Sequence, residues 1–211
     1  MQKRIMKIVV ITNEVLKEEL LAQGLQVAVQ VDWQDEPGPV PDADAYIDLL
    51  FNLSAERTDK LKSLQPAAII VNSVINTSAE LPGGFIRING WRSFIKRTLV
   101  EASCKDADKA AAEKIFSCFN KTVEWVPDIP GFITPRVTSM VINEAYFTLD
   151  EKVSSKEEID TAMKLGTNYP YGPFEWSTII GLKNVFELLT VLSKTNSRYT
   201  ASSLLQKEAL S

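Results

Sequence analysis

Along its first 128 residues the chain alternates short apolar runs with polar or helical stretches. The runs IMKIVVIT (5–12), QVAVQVDW (26–33), AYIDLLF (45–51), AAIIVNS (67–73), FIRIN (85–89) and TVEWVPD (122–128) are rich in Val and Ile and predict strands. Between them, Glu14–Gln23, Ala55–Leu64 and Ala107–Phe119 carry helical patterns. KIVVIT and AAIIV are almost continuously apolar, as strands buried on both faces are. Such alternation predicts an α/β domain, a parallel sheet covered by helices. The Pro-rich DEPGPVPDAD (35–44) is a loop inside that domain, because a strand follows at once.

After IPGF (129–132) the pattern becomes wholly helical. Val137, Met140, Val141, Ala145 and Leu149 recur at helical spacing and define a buried stripe. Ser154 and Ser155 each stand three residues before a glutamate and offer a capping box to the next helix, which Gly166 can close. A turn-rich NYPYGP follows, then helices over Phe174–Ile180, Leu182–Ser193 and Ser202–Ala209. Two domains are expected, an α/β domain over 1–128 and an all-α domain over 129–211, meeting near Pro127–Pro130.

Composition narrows the function classes. Apolar residues make up 45% of the 211 and charged residues 24%, the balance of a soluble globular protein. A net charge of −4 without a basic run gives no footprint for nucleic acid. No segment reaches the roughly 20 apolar residues that span a membrane. The opening MQKRIMKIVVIT lacks a small-residue cleavage site and runs into a helical pattern, so it reads as a first strand and not a signal peptide. Cys104 and Cys118 read as free buried thiols of a cytoplasmic chain. With no histidine and two cysteines, a zinc site is not expected.

The segments DIPGFITPRV, VINEAYFTL, IDTAMKLGTNYPYGPFEW and IIGL resemble the C-terminal domain of the 3-hydroxyacyl-CoA dehydrogenase family. The shared pattern is Pro130–Phe132, Arg136, Asn143–Ala145, Ile159–Gly166, Gly172–Glu175 and Gly181–Leu182, over roughly residues 120–195. The resemblance implies a shortened Rossmann-like parallel sheet domain followed by a helical, 6-phosphogluconate-dehydrogenase-like domain that pairs subunits. Helices such as Arg136–Leu149 and Leu182–Ser193 carry more apolar surface than one small domain covers, in keeping with a homodimer. An acyl-CoA is the ligand implied.

The site residues of the family are only partly present. FIRINGWRSFIKRTLVE (85–101) resembles the family segment whose histidine transfers the proton and whose glutamate, twelve residues on, orients it. Glu101 stands at the glutamate position, Asn89 at that of the histidine, and Arg92 and Ser93 replace the family's Asn-Pro pair. Oxidising a 3-hydroxyl requires a group that takes the hydroxyl proton, and imidazole titrates near working pH whereas an amide does not. Loss of a general base forfeits about 10²–10⁴ in rate. After the first strand the family's glycine fingerprint, which lets backbone amides meet a pyrophosphate, is replaced by Thr12-Asn13-Glu14-Val15-Leu16-Lys17. Bulky side chains are expected to fill the phosphate space there.

Asp32 lies within one residue of the place of a ribose-binding acid, although an exposed strand-end aspartate reads the same way. The groove serine falls on Ser73 or Val74, and the groove asparagine is Pro135. Of the four family side chains, His, Ser, Asn and Glu, Glu101 alone persists. It serves either the old site or a salt bridge to Arg92 or Lys96. Arg87, Arg92, Lys96 and Arg97 form a basic cluster that reads as a solvated face or as an attractor for a CoA phosphate. Trp91 and Trp125 read as core. These readings imply a non-catalytic dimeric binding or scaffold protein without cofactor. The alternative is a reduced but active NAD-dependent dehydrogenase of fatty acyl-CoA metabolism.

Overall fold

A computed structural model describes residues 4–211. Met1–Lys3, part of the opening stretch read as a strand, lie outside the described residues. Two compact units are formed, Met1–Phe132 and Ile133–Ser211.

The first unit is built on β1 (Met6–Ile11), α1 (Glu14–Leu20), β2 (Val29–Gln34), β3 (Ala45–Asp48), α2 (Ala55–Ser63), β4 (Ala68–Asn72), β5 (Phe85–Ile88), β6 (Leu99–Ser103), α3 (Asp106–Ser117) and β7 (Thr122–Trp125). The strands form one sheet in the order β2-β1-β3-β4-β5-β6-β7. All neighbours are parallel except β5 and β6. Strand alternation divides the core. Ile8 and Val10 face a cluster with Leu16 and Leu20 of α1 and Ile115 and Phe116 of α3. Val9 and Ile11 face Tyr46 and Leu61 of α2. Each fully buried Leu or Ile in these clusters contributes about 1.5–3 kcal/mol.

Several boundaries differ from the sequence expectation for local reasons. The antiparallel β5–β6 pair interrupts the parallel sheet because residues 89–98 are fewer than the dozen or so that a parallel crossover needs. Strand β3 stops at Asp48, whose carboxylate accepts the Leu50 amide at 3.0 Å and turns the chain. After α1 the chain tightens into a 3-10 turn over Leu21–Gln23 and is ended by Gly24 at φ +84°.

The second unit holds α4 (Thr134–Asp150), α5 (Lys156–Thr167), α6 (Pro173–Ile180), α7 (Leu182–Ser193) and α8 (Ser203–Ala209). Ser155 and Glu158 cap α5 reciprocally. Gly166 does not close that helix; it lies inside α5, and Asn168 in the left-handed region at φ 56° ends it. Val185, Leu188, Leu189 and Leu192 of α7 are all buried within this unit. Among the described residues no helix is long and apolar enough to cross a membrane.

Candidate functional site

Because β1 connects to β2 on one side and pairs β3 on the other, the sheet has its switch point at the carboxyl ends of β1 and β3, the usual ligand crevice of such sheets. The connection there is Thr12-Asn13. The Asn13 side chain accepts the Leu16 amide at 3.0 Å, so the protein caps α1 itself where a dinucleotide fold presents amides to a pyrophosphate. Around this cap Asn13, Glu14 and Val15 are exposed, Leu16 is buried, and Glu14 pairs with Lys17. The misfit with a pyrophosphate therefore rests on the missing glycines and the occupied cap.

Asp32 sits inside β2 opposite Val9, two residues before the strand's end, and is half-buried. Beyond the strand, Glu36 pairs with Arg57, which also makes a two-point contact with the buried Asp48 at 2.7 and 2.9 Å. Burial pushes the Asp48 carboxyl up, against the pull of Arg57.

At the ends of β4, β5 and β6 the expected pair does form. Asn89 and Glu101 are both buried, their backbones bond in the β5–β6 ladder (2.9 Å), and the Asn89 amide donates to the Glu101 carboxylate at 3.1 Å. The Asn89 oxygen accepts the Trp91 amide at 3.4 Å. Asn72 ties this corner together, donating to Leu49 O at 3.2 Å and accepting Gly90 N–H at 3.0 Å. Gly90 is required there, since a β-carbon would stand 2.8 Å from Asn72. Ser73 is buried beside β5; its amide bonds Ile88 O, and its hydroxyl donates to Asn76 O at 3.2 Å.

The basic cluster holds together only in part, with Arg92 and Lys96 both acting on Glu19 of α1. Arg92 lies 4.0 Å from Glu19 of α1 and Arg97 stacks on Phe94, while Arg87 is fully buried and paired with Asp128. Trp91 is core, but Trp125 on edge strand β7 is only partly buried and donates to Glu113. Pro135 is buried in the first turn of α4, in the helical unit, and has no N–H to offer a ligand.

Similarity to known proteins follows the same division. Residues 131–210 match the family described as 3-hydroxyacyl-CoA dehydrogenase, C-terminal domain. A 3-hydroxybutyryl-CoA dehydrogenase of Bradyrhizobium diazoefficiens is 28% identical over 93% of this chain and 72% of its own length. A 3-hydroxyadipyl-CoA dehydrogenase of Escherichia coli is 38% identical over 54% of this chain, which spans 25% of that protein. The solved (S)-3-hydroxybutyryl-CoA dehydrogenase of Ralstonia eutropha superposes with a TM-score of 0.75, covering 96% of this chain and 93% of that one at 19% identity. The helical half of the chain, residues 131–210, is a 3-hydroxyacyl-CoA dehydrogenase C-terminal domain. The chain's fold is the Rossmann-like sheet unit plus helical unit of that family.

In this helical half the signature motifs prove to be helix-end chemistry. Asp160 accepts the Phe174 and Glu175 amides at 2.8 and 3.0 Å and so caps α6, while Glu175 accepts the Gly172 amide and pairs with Lys164. Asn143 holds the segment before α8 by bonding Thr200 O and the Ser202 amide. Arg136 donates to the Tyr199 hydroxyl. Sequence reasoning missed Asn72, Glu19 and Asp128. None of the three is marked locally, because their partners lie 18, 74 and 41 residues away along the chain.

Proposed function

We propose that the whole chain is a member of the 3-hydroxyacyl-CoA dehydrogenase family that does not carry out the family's dehydrogenation and serves as a dimeric protein that binds an acyl-CoA thioester without a dinucleotide. The observation that carries this reading is Asn89. Its amide stands at the place of the proton-transferring imidazole, donates to Glu101 and accepts from Trp91. An amide accepts no proton in the usable pH range, and none of the 211 residues is a histidine that could take over. The Asn13 cap at the head of α1 supports the same reading from the cofactor side. Both cysteines are free thiols, in keeping with a cytoplasmic setting.

Dimerisation is proposed through the helical unit. Of the stripe expected to be buried on α4 only Ala145 is; Val137 is 55% exposed, Ile133 and Phe147 are exposed too, and Leu165 of α5 is 83% exposed. Between α4 and α5 runs an apolar groove of about 420 Å³ lined by Val141, Ala145, Thr148, Val153, Ile159 and Met163. The expected contribution of α7 is withdrawn, because its apolar stripe is already covered.

Titration of the purified protein with NAD⁺ and with NADH tests the cofactor part, and micromolar binding of either would overturn it. The competing reading, a reduced but active enzyme, draws on the retained and buried Glu101. Turnover of acetoacetyl-CoA with NADH that disappears in Glu101→Gln would establish that reading instead.

A further inference from the structure

Arg87 is a fully buried arginine in the middle of a sheet strand, and the site just described makes no use of it. Its guanidinium is spent on two segments. Nε donates to Ser73 O at 3.1 Å and Nη2 to Val74 O at 3.2 Å, on the turn after β4. On the other side, Nη1 pairs with the Asp128 carboxylate, and both terminal nitrogens reach Ile129 O at 3.4 Å. The Phe132 ring lies 4.5 Å from the guanidinium carbon. Asp128 also accepts the Ser78 amide, at 3.1 and 3.2 Å, and the Gly131 amide bonds Val74 O at 2.8 Å.

The segment so held is backbone that would not keep its shape unaided. Gly131 and Phe132 follow one another at φ +86° and +45°, and a phenylalanine adopts that region only against steric cost. Successive residues of this kind, next to a glycine, are where chains bend when they are free to bend.

We propose that Arg87 is a lock on residues 128–132: the Arg87–Asp128 pair holds this strained connector in one conformation, and removing either partner releases it as a locally mobile hinge. A charged hydrogen-bonded pair in a desolvated setting is worth enough to decide such a local equilibrium. The inference does not depend on whether the chain turns over a substrate.

Amide hydrogen exchange in the full chain reads this directly. In Asp128→Ala, which alters the partly exposed partner, the Gly131 amide is expected to exchange about tenfold faster or more, while amides of β1 and α7 keep their protection. Arg87→Met is expected to do the same. Should Arg87→Met fail to fold, Asp128→Ala still decides. A Gly131 amide that exchanges within twofold of wild type in Asp128→Ala overturns the lock. So does a wild-type Gly131 amide that is unprotected at the outset, or an acceleration shared equally by β1, which would mark a global loss of stability.

Discussion

Asp160 accepts two amides at the start of α6, and a β-carbon on Gly172 would collide with its carboxyl. Replacing Asp160 by Ala leaves those buried amides unpaired and is expected to destabilise the chain by about 1–3 kcal/mol, read as a lowered urea midpoint with unchanged slope. Asn89 carries the opposite kind of prediction. Its place beside Glu101 was legible only through the family resemblance, in which a glutamate follows twelve residues on; the antiparallel β5–β6 register brings the two side chains together. Asn89→His puts an imidazole next to that carboxylate, yet the Thr12-Asn13 connection is unaltered. The variant is expected to remain without NADH-dependent turnover of acetoacetyl-CoA, and measurable turnover would show that the cofactor end is competent after all.

At the scale of elements, helices and strands were legible wherever local pattern decides them: α7 spans the residues its apolar spacing indicates, and α2 and α8 differ by one at one end. Strand β6, which no apolar run indicated, and the segment between β5 and β6 were not, because distant side chains set that path. Glu19 accepts the Ser93 amide across 74 residues of sequence, and Lys121 donates to Ile95 O and Arg97 O at 2.7 and 2.8 Å. Nothing in the local sequence marks either partner. Burial pushes the Lys121 ammonium down from the ordinary 10.5 to about 8, with the Glu19 charge pulling it back. Below pH 8 folded and unfolded chains both hold this proton, and the folded state bears the full cost of burying the charge. Between about 8 and 10.5 the unfolded chain binds more protons than the folded one, so the group makes stability rise with pH. The gain is at most about 3 kcal/mol at 1.36 kcal/mol per pKa unit. Urea midpoints measured at pH 7, 8.5 and 10 are expected to show this rise in wild type relative to Lys121→Met, and parallel curves would refute it.

The two-part organisation of the whole molecule was legible as a change from strand-and-helix to helix-only texture. The division itself falls after Phe132 and not after 128, because Arg87 and Asp128 bind the connector to the sheet unit. What a single chain cannot spell out is which apolar face is left over once its own helices have packed. In the helical unit α7 is used up internally, whereas Ile133 at the N-cap of α4 and Val137 and Val141 within it recur every fourth residue, with the first two exposed. A twofold interface sets the same patch of each copy against the other, so a charge placed on it meets its own image. Val137→Glu is therefore expected to turn a dimer at micromolar concentration into a monomer in sedimentation. Its helical circular dichroism should be unchanged, since a half-exposed position away from the core costs within about 0.5 kcal/mol. Leu165→Lys probes α5 in the same way. Wild-type protein sedimenting as a monomer at that concentration would remove the proposed dimer, and a Val137→Glu protein that stays dimeric would move the interface off α4.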